Sequence, residues 1–382
     1  MEDILYWLFL IIASVYALMI FTCTISWLTV NQIKFSNTKK FNTRVSVIIA
    51  ARNEENAIGD CINDLINQNY PKELFELIIV DDASNDATLQ LVENIIKCNS
   101  GVNIKLIKLA DDPTITSPKK RALSEAIKIA GGTLIITTDA DCRMGCKWLS
   151  AMVSFYEQNS SKMIIGPVNF YGEQNIFQKM QSLEFTNLIG ITGATAFLNQ
   201  PVMCNGANLA YEKEAFMLKK GFENIDTKAS GDDIFLMLKF KKMFNSNSIH
   251  FIKSKEALVY TSPKTTVSEF LNQRKRWASK SSSYRDFGVI ILAACVSLFS
   301  ISIIFSLGLS FFSNKFTELF FIMTGIKYFT DFTFLLAISF FFEKKKLLWL
   351  VILQQVLYPI YVVTIGIAIQ FSGYKWKDRK LY

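Results

Sequence analysis

An α/β fold, with a mostly parallel sheet flanked by helices and attached membrane-crossing helices, is what the sequence predicts. Three observations carry the prediction. From residue 44 to about 258, short apolar runs alternate with helical patterns. Two acidic clusters fall where apolar strands end. Four longer apolar stretches, one before this region and about three after it, are long enough to span a bilayer. Hydrophobic residues make up 51% of the 382 and charged ones only 19%. A soluble domain carries about a quarter charged residues, so part of this chain is expected to be solvated by lipid.

The elements follow in order. Val45-Ser46-Val47-Ile48-Ile49-Ala50 has the pattern of a buried strand. Ile58, Cys61, Ile62, Leu65 and Ile66 then share one helical face, and Pro71 marks the turn after it. Leu77 to Val80 is a second strand, ended by Asp81-Asp82. A helix over 89–96 and a strand over 104–107 come next. A helix over 122–130 is stopped by Gly131-Gly132. The strand 133–138 ends at Asp139-Ala140-Asp141. Parallel α/β sheets bind ligands beyond the carboxyl ends of their strands, where both acidic clusters lie.

The predicted spans are 4–30, 287–312, 319–342 and 347–371. The first starts with Glu2 and Asp3, is long, and has no small-residue cleavage site, so it is not a signal peptide. The segments are thus 1–32, an N-terminal membrane helix; 44–258, the α/β domain; 259–286, an interfacial segment; 287–371, three membrane segments; and 372–382, a basic tail.

The net charge is +8, but the basic residues flank apolar runs instead of forming one stripe. Lys34, Lys39, Lys40 and Arg44 follow the first span; Lys344, Lys345 and Lys346 lie between the last two. This favours the lipid bilayer as partner over nucleic acid. The bias places the domain on the cytoplasmic side of a plasma (inner) membrane. The tail, with Lys375, Lys377, Arg379 and Lys380, falls outside by this count and breaks the rule, unless one late segment is interfacial or re-entrant. Seven cysteines, an odd number, suggest a reducing compartment. With His250 as the only histidine, Cys142 and Cys146 do not make a zinc site.

The carboxylates carry the chemistry. Asp139 and Asp141, one residue apart at a bending strand end, suit Mg²⁺ or Mn²⁺, hard cations that take oxygen ligands and bridge to phosphates. An Asp-rich turn is the competing reading. In Asp81-Asp82-Ala83-Ser84-Asn85-Asp86, Ser84 and Asp86 suit the start of the next helix, whereas paired Asp81 and Asp82 repel without a partner. Asp232 and Asp233 follow Gly231 at the start of an apolar helix, where the dipole favours carboxylates and a base is held rigidly. In Gln273-Arg274-Lys275-Arg276-Trp277, Arg276 suits a diphosphate and Trp277 a stacking face. Arg274, Lys275 and Lys280 fit better as a basic belt at the membrane interface. Lys327 and Asp331, four apart in the third span, are placed to pair on one helix face, as a functional site or a neutralised structural pair.

Taken together, these segments resemble the family 2 glycosyltransferases, in particular the membrane-bound branch of cellulose, hyaluronan and poly-N-acetylglucosamine synthases and ceramide glucosyltransferase. The resemblance spans about residues 44–280 and the flanking spans. It rests on Val47 to Glu54, Asp81-Asp82, Asp139-Ala140-Asp141, Asn205-Gly206-Ala207-Asn208-Leu209-Ala210-Tyr211, Gly231-Asp232-Asp233 and Gln273-x-x-Arg276-Trp277. It implies a GT-A-type, Rossmann-like fold and transfer from a nucleotide-sugar donor to a lipid or glycan acceptor with inversion. Ala50, Arg52 and Glu54 would line the nucleoside pocket, and Asp82 would contact the base, expected to be uracil. Lys119 matches a lysine near the donor. Asp139 and Asp141 would hold the diphosphate through Mg²⁺ or Mn²⁺. Asp233, beside Asp232, matches the base that deprotonates the acceptor. Gln273, Arg276 and Trp277 match the element that closes over donor and acceptor. Ala51 stands where many relatives have proline. A non-catalytic scaffold subunit that binds a nucleotide sugar is the alternative, disfavoured because an idle site has no need to hold such costly carboxylates together.

Overall fold

The computed structural model describes residues 2–35, 40–99, 101–112, 114–218, 220–225, 231–280, 284–371, 374–376 and 379–381. Lys39 and Lys377 lie outside the described residues, as do the side chains of Lys375, Arg379 and Lys380. In chain order, α1 (Glu2–Thr29) precedes β1 (Val45–Ala51), α2 (Ile58–Ile66), β2 (Phe75–Asp82), α3 (Thr88–Cys98) and β3 (Asn103–Leu109). Next come α4 (Pro118–Ile129), β4 (Leu134–Asp139), β5 (Arg143–Met144), α5 (Trp148–Asn159), β6 (Met163–Ile165) and β7 (Val168–Phe170). α6 (Ile176–Phe197) leads to β8 (Leu209–Glu212), α7 (Lys213–Leu218), α8 (Asp232–Phe244), β9 (Ile249–Phe251) and β10 (Val259–Thr261). Beyond them run α9 (Val267–Ala278), α10 (Phe287–Ser310), α11 (Asn314–Phe342) and α12 (Val351–Phe371).

Two compact units emerge. One holds Asn31–Gly172, Ala196–Ser262 and Lys375–Tyr382. Its core is a seven-stranded sheet in the order β3-β2-β1-β4-β8-β6-β9, parallel except where β8 runs against β4 and β6. β5, β10 and β7 form a small second sheet. Central β1 and β2 are almost wholly buried, as continuous apolar runs between two helical layers should be. β3, at the edge, alternates apolar residues with Lys105 and Lys108 and is more open. Ile58, Cys61, Ile62 and Leu65 of α2 are fully buried, as predicted of this face, while Ile66 at the helix end is half-buried. α4 begins at Pro118, four residues before the apolar periodicity starts. Proline is favoured in the first helical turn, and the added turn places Lys119 on a rigid element.

Glu76 ties the lower edge of this sheet together. Its Oε1 accepts from Ser46 Oγ (2.6 Å) and Gly131 N (2.6 Å), and Lys105 Nζ lies 2.7 Å from Oε2. A Cβ on neighbouring Gly132 would lie 2.4 Å from Ser46 N, so the turn after α4 requires glycine there. Burial alone would raise the Glu76 carboxyl, but Lys105, Ser46 and Gly131 outweigh it and hold it below the usual range. A carboxyl lowered on folding stabilises above its unfolded value, and that contribution is lost as pH falls through the folded value. Glu76→Gln should therefore cost about 1–2 kcal/mol at neutral pH. Thermal unfolding of wild type and variant at pH 7 and below about pH 4 checks this, the gap narrowing in acid.

The other unit holds Met1–Val30, Glu173–Thr195 and Pro263–Tyr374. Four of its helices are long and apolar enough to cross a membrane: Glu2–Thr29, Phe287–Ser310, Asn314–Phe342 and Lys345–Gln370. Trp7, Ile11, Leu18, Ile291, Phe329 and Ile360 stand exposed on them, as lipid-facing residues do. α6 belongs to this unit almost entirely. Its Gly190 lies against Ile338 of α11 so closely that a Cβ would meet that side chain at 2.7 Å. Close helix packing of this kind uses small residues.

Arg274 departs from the interfacial belt expected of it. It is buried, its Nη2 lies 2.7 Å from Glu184 Oε2 on α6, and its guanidinium lies over the rings of Phe270 (4.6 Å) and Trp277 (4.3 Å). A planar guanidinium can satisfy a carboxylate and stack on aromatic faces at once, which suits arginine to this buried position. The partner lies 90 positions away in sequence, which is why local pattern did not reveal it. Deeper in the bundle, Lys327 Nζ lies 2.5 Å from Asp331 Oδ2 on α11. Tyr16 of α1 donates to Asp331 Oδ1 (2.6 Å) and Gln355 of α12 to its Oδ2 (3.1 Å). The Lys327 ammonium also lies over the Tyr358 ring at 4.7 Å. Three helices are thus joined through one carboxylate.

Candidate active site

Strand order determines where the site lies. β1, β2 and β3 build one way across the sheet and β4 begins the other way. Connections diverge at the carboxyl ends of β1 and β4, which opens a crevice. In register, Ala50 pairs with Asp139 across β1–β4, and Ala51 pairs with Asp81 across β1–β2.

At the end of β4 the carboxylates gather. Lys119 Nζ donates to Asp139 Oδ1 at 2.6 Å and lies 3.6 Å from Asp232 Oδ2. Burial works against the Lys119 charge, but Asp139 and Asp232 outweigh it and hold the ammonium well above the usual lysine range. Gly231 takes the left-handed conformation (φ 84°) that lets α8 start at Asp232. Asp233 is fixed by backbone amides, Gly206 N on Oδ2 (3.1 Å) and Ile234 N on Oδ1 (2.8 Å). Gly206 is held in turn by Thr137 of β4, whose Oγ1 donates to its carbonyl at 3.0 Å. Lys119, Asp139, Gly206, Asp232 and Asp233, drawn from four separate segments, therefore form one cluster. Asp141 lies just beyond the strand, accepting from Thr261 Oγ1 at 3.3 Å. Burial and the charges of Asp141 and Asp139 push the Cys142 and Cys61 thiols up, so neither is a reactive thiolate.

At the ends of β1 and β2 the two loops are stitched together. Arg52 is buried and its Nη1 donates to the carbonyls of Asp82 (2.7 Å) and Ala83 (3.0 Å). Asn53 N donates to Ser84 Oγ, Asn85 N to Asn53 Oδ1, and Glu54 N to Thr88 Oγ1. Ser84 is thus spent on the β1 loop and does not cap α3; Asp86 accepts from Thr88 N instead. Ala50 and Glu54 are half-buried on this rim, and Asp82 is buried. Two polar atoms there, Asp81 Oδ1 and Arg52 Nε, are buried without a hydrogen-bond partner among the described residues. Buried polar atoms are ordinarily hydrogen-bonded, so these two stand out on the rim. The sequence marks Asp81 as half of an acidic pair that needs a partner but gives it no role of its own; its buried, unpartnered oxygen is what the structure adds.

Asn208 is a second residue whose part the motif alone did not reveal. Fully buried, it donates to the carbonyls of Pro167 (2.8 Å) and Ala257 (2.8 Å) and accepts from Trp148 Nε1 (3.1 Å). A Cβ on Gly166 would fall 2.3 Å from its side chain. Asn208 holds the loop that carries Gly206, and through it the Asp233 carboxylate. Asn208→Ala strands three buried polar groups and should cost about 2–3 kcal/mol, read as a lower unfolding temperature of the purified protein.

Gln273, Arg276 and Trp277 lie on α9 in the helical unit. Gln273 Oε1 accepts from Arg274 Nη1 (2.8 Å), and Trp277 packs on Phe185 (5.9 Å between ring centroids) and under Arg274. Among the described residues, no group of three or more His, Cys, Asp or Glu side chains is placed to hold a metal ion. Asp139 and Asp141 nonetheless fit a divalent cation of the kind that one or two carboxylates and substrate phosphates hold together. Both are partly exposed, so a cation can reach them.

A mostly parallel sheet with an acid-x-acid end on the strand beside its switch point is the arrangement of the GT-A glycosyltransferases. The model for Glycosyl transferase family 2 matches residues 46–218, and that for Glycosyl transferase family group 2 matches residues 134–366. The second match covers more than half of the chain, and the chain belongs to glycosyl transferase family group 2. It is 31% identical over 123 residues to a poly(ribitol-phosphate) beta-glucosyltransferase of Bacillus spizizenii, covering 32% of this chain and 19% of that protein. It is 30% identical over 114 residues to a beta-monoglucosyldiacylglycerol synthase of Trichormus variabilis, covering 30% of this chain and 24% of that one. The aligned stretches thus span a fifth to a quarter of these relatives' own length. In structure the chain is similar to a mannosyltransferase of Pyrobaculum calidifontis solved with GDP-Man and Mn²⁺, with TM-score 0.65 and 15% identity over 97% of this chain and 99% of that one. That likeness shows the fold.

Proposed function

We propose that the chain is an inverting hexosyltransferase that moves a sugar from a nucleotide-sugar donor, expected to be a UDP-sugar, to a lipid or glycan acceptor at a membrane surface. The single observation that supports this most is the cluster of Lys119, Asp139, Asp232 and Asp233 at the β1–β4 crevice. Ala50, Arg52, Glu54 and Asp82 line the nucleoside end, and the unpartnered oxygen of Asp81 adds an acceptor there for the base or ribose. Asp139 and Asp141 would hold Mg²⁺ or Mn²⁺, which would supply positive charge opposite the departing diphosphate. Lys119 adds its ammonium to the same charge.

Asp233 is the base. Hydrogen bonds from Gly206 N and Ile234 N fix its carboxylate fork at the start of a rigid helix, where it takes the acceptor proton as the new glycosidic bond forms. Asp232, 3.6 Å from the Lys119 ammonium, stands beside it and helps keep that positive charge in the site. Gln273, Arg276 and Trp277 take the donor-closing part that the family pattern gives them. The relatives named for poly(ribitol-phosphate) and for monoglucosyldiacylglycerol support a polymer and a lipid acceptor respectively. The charge bias of the loops supports a multi-pass protein of the plasma (inner) membrane with the α/β domain cytoplasmic.

The test is incubation of membranes that contain the chain with labelled UDP- and GDP-sugars and Mn²⁺ or Mg²⁺, followed by separation of lipid and polymer products. Label entering either fraction with one donor, and only with the divalent cation, is the expected result. No transfer and no donor hydrolysis would exclude the reading.

A further inference from the structure

We infer that Lys119 couples the cation to the nucleotide, making each bind weakly alone and well together. The inference rests on the proposed metal-and-donor reading and goes beyond it, because it concerns the order and linkage of binding. Lys119 is not merely near the donor end. Its ammonium is seated on Asp139 Oδ1 at 2.6 Å, within 3.6 Å of Asp232, with about a quarter of the side chain exposed. A divalent cation that takes Asp139 meets this ammonium across one carboxylate, and at such range a partly buried pair of like charges is poorly screened.

The lysine cannot simply leave. Its backbone is fixed in the first turn of α4 beside Pro118. Asp232 keeps the charge in the site when Asp139 is occupied, and a Cβ on Gly206 would already lie 3.6 Å from the ammonium. A nucleoside diphosphate removes the conflict. Its anionic oxygens accept from Lys119 in charge-assisted hydrogen bonds, which frees Asp139 for the cation. By linkage, the factor by which the diphosphate tightens the cation equals the factor by which the cation tightens the diphosphate. Metal-free donor and donor-free metal are both disfavoured, and transfer begins only from the complete set.

The experiment is Mn²⁺ titration of the detergent-purified full chain, with free Mn²⁺ read by electron paramagnetic resonance, with and without saturating UDP or GDP. Mn²⁺ bound to nucleotide in solution is measured separately and subtracted. Wild type should bind Mn²⁺ at least about 5-fold more tightly with nucleotide than without. Lys119→Met should bind Mn²⁺ alone about 3-fold or more tightly than wild type, and gain correspondingly less from nucleotide. Lys119→Arg keeps the charge and should resemble wild type, which separates the charge effect from a folding defect. Lys119→Met binding Mn²⁺ alone no more tightly than wild type would overturn the coupling while leaving the metal reading in place. No protein-bound Mn²⁺ in wild type under any condition would overturn both.

Discussion

Asp233→Asn should lower sugar transfer by about 10²–10⁴-fold, the usual worth of a positioned general base. Nucleotide binding should stay within about 3-fold of wild type, since the lost interaction is made with the acceptor and not with the donor. The side chain keeps its size and one oxygen. The new amide, however, must turn its NH₂ toward either Gly206 N or Ile234 N, both of which now donate to the carboxylate. That mismatch should cost about 1 kcal/mol of stability, far less than the catalytic loss. Transfer rate and nucleotide binding measured on the same preparation separate the two effects. Full transfer by the variant would move the base assignment elsewhere, with Asp232 the first candidate. Asp232 differs in its surroundings, with an oxygen 3.6 Å from the Lys119 ammonium.

Lys327→Met should strongly destabilise the helical unit, by about 3–5 kcal/mol. Asp331 is buried, and its carboxylate would keep Tyr16 and Gln355 but lose its countercharge. Methionine matches the length of the lysine stem and preserves packing against Tyr358. The loss therefore reports the unpaired charge, not a cavity. Replacing both, Lys327→Met with Asp331→Leu, should recover most of the stability, because a buried pair is often worth no more than well-packed apolar residues. The check is the thermal unfolding midpoint of each detergent-purified variant. A double variant as unstable as the single one would mean that the hydrogen bonds from Tyr16 and Gln355, not charge balance, hold α1, α11 and α12 together.

Much of the fold was legible because continuous apolar runs and 3.6-residue faces announce the elements that dominate the core. β1, β2 and β4, and the buried face of α2, follow from residues within ten positions of one another. The strands from β5 to β10 did not stand out, since segments of two to four residues have no readable period. Neither did α6, whose apolar residues run all round the helix and leave no single stripe. The helix α4 was expected to begin at Ala122, because Lys119, Lys120 and Arg121 in its first turn are polar and leave no periodic mark.

At the site, motif spacing marked the carboxylates but not how they are held. That Lys119 sits on Asp139, that Gly206 fixes Asp233 and that Asn208 supports the same loop all depend on contacts 20 to 60 residues apart. The Lys327–Asp331 pair was readable from its four-residue spacing, while Tyr16, 315 positions from Asp331, was not. Arg274 shows the limit from the other side: its composition suited a membrane interface, and only the distant Glu184 explains its burial.

The most direct measurement is nucleoside diphosphate release from a nucleotide sugar by purified wild type and Asp139→Asn, each with Mn²⁺ and with a chelator. Wild type should release the diphosphate only with the cation, and Asp139→Asn with Mn²⁺ should release it at least about 10²-fold more slowly than wild type. Release that ignores the chelator, or an Asp139→Asn variant as active as wild type, would contradict a cation-and-diphosphate centre at the end of β4.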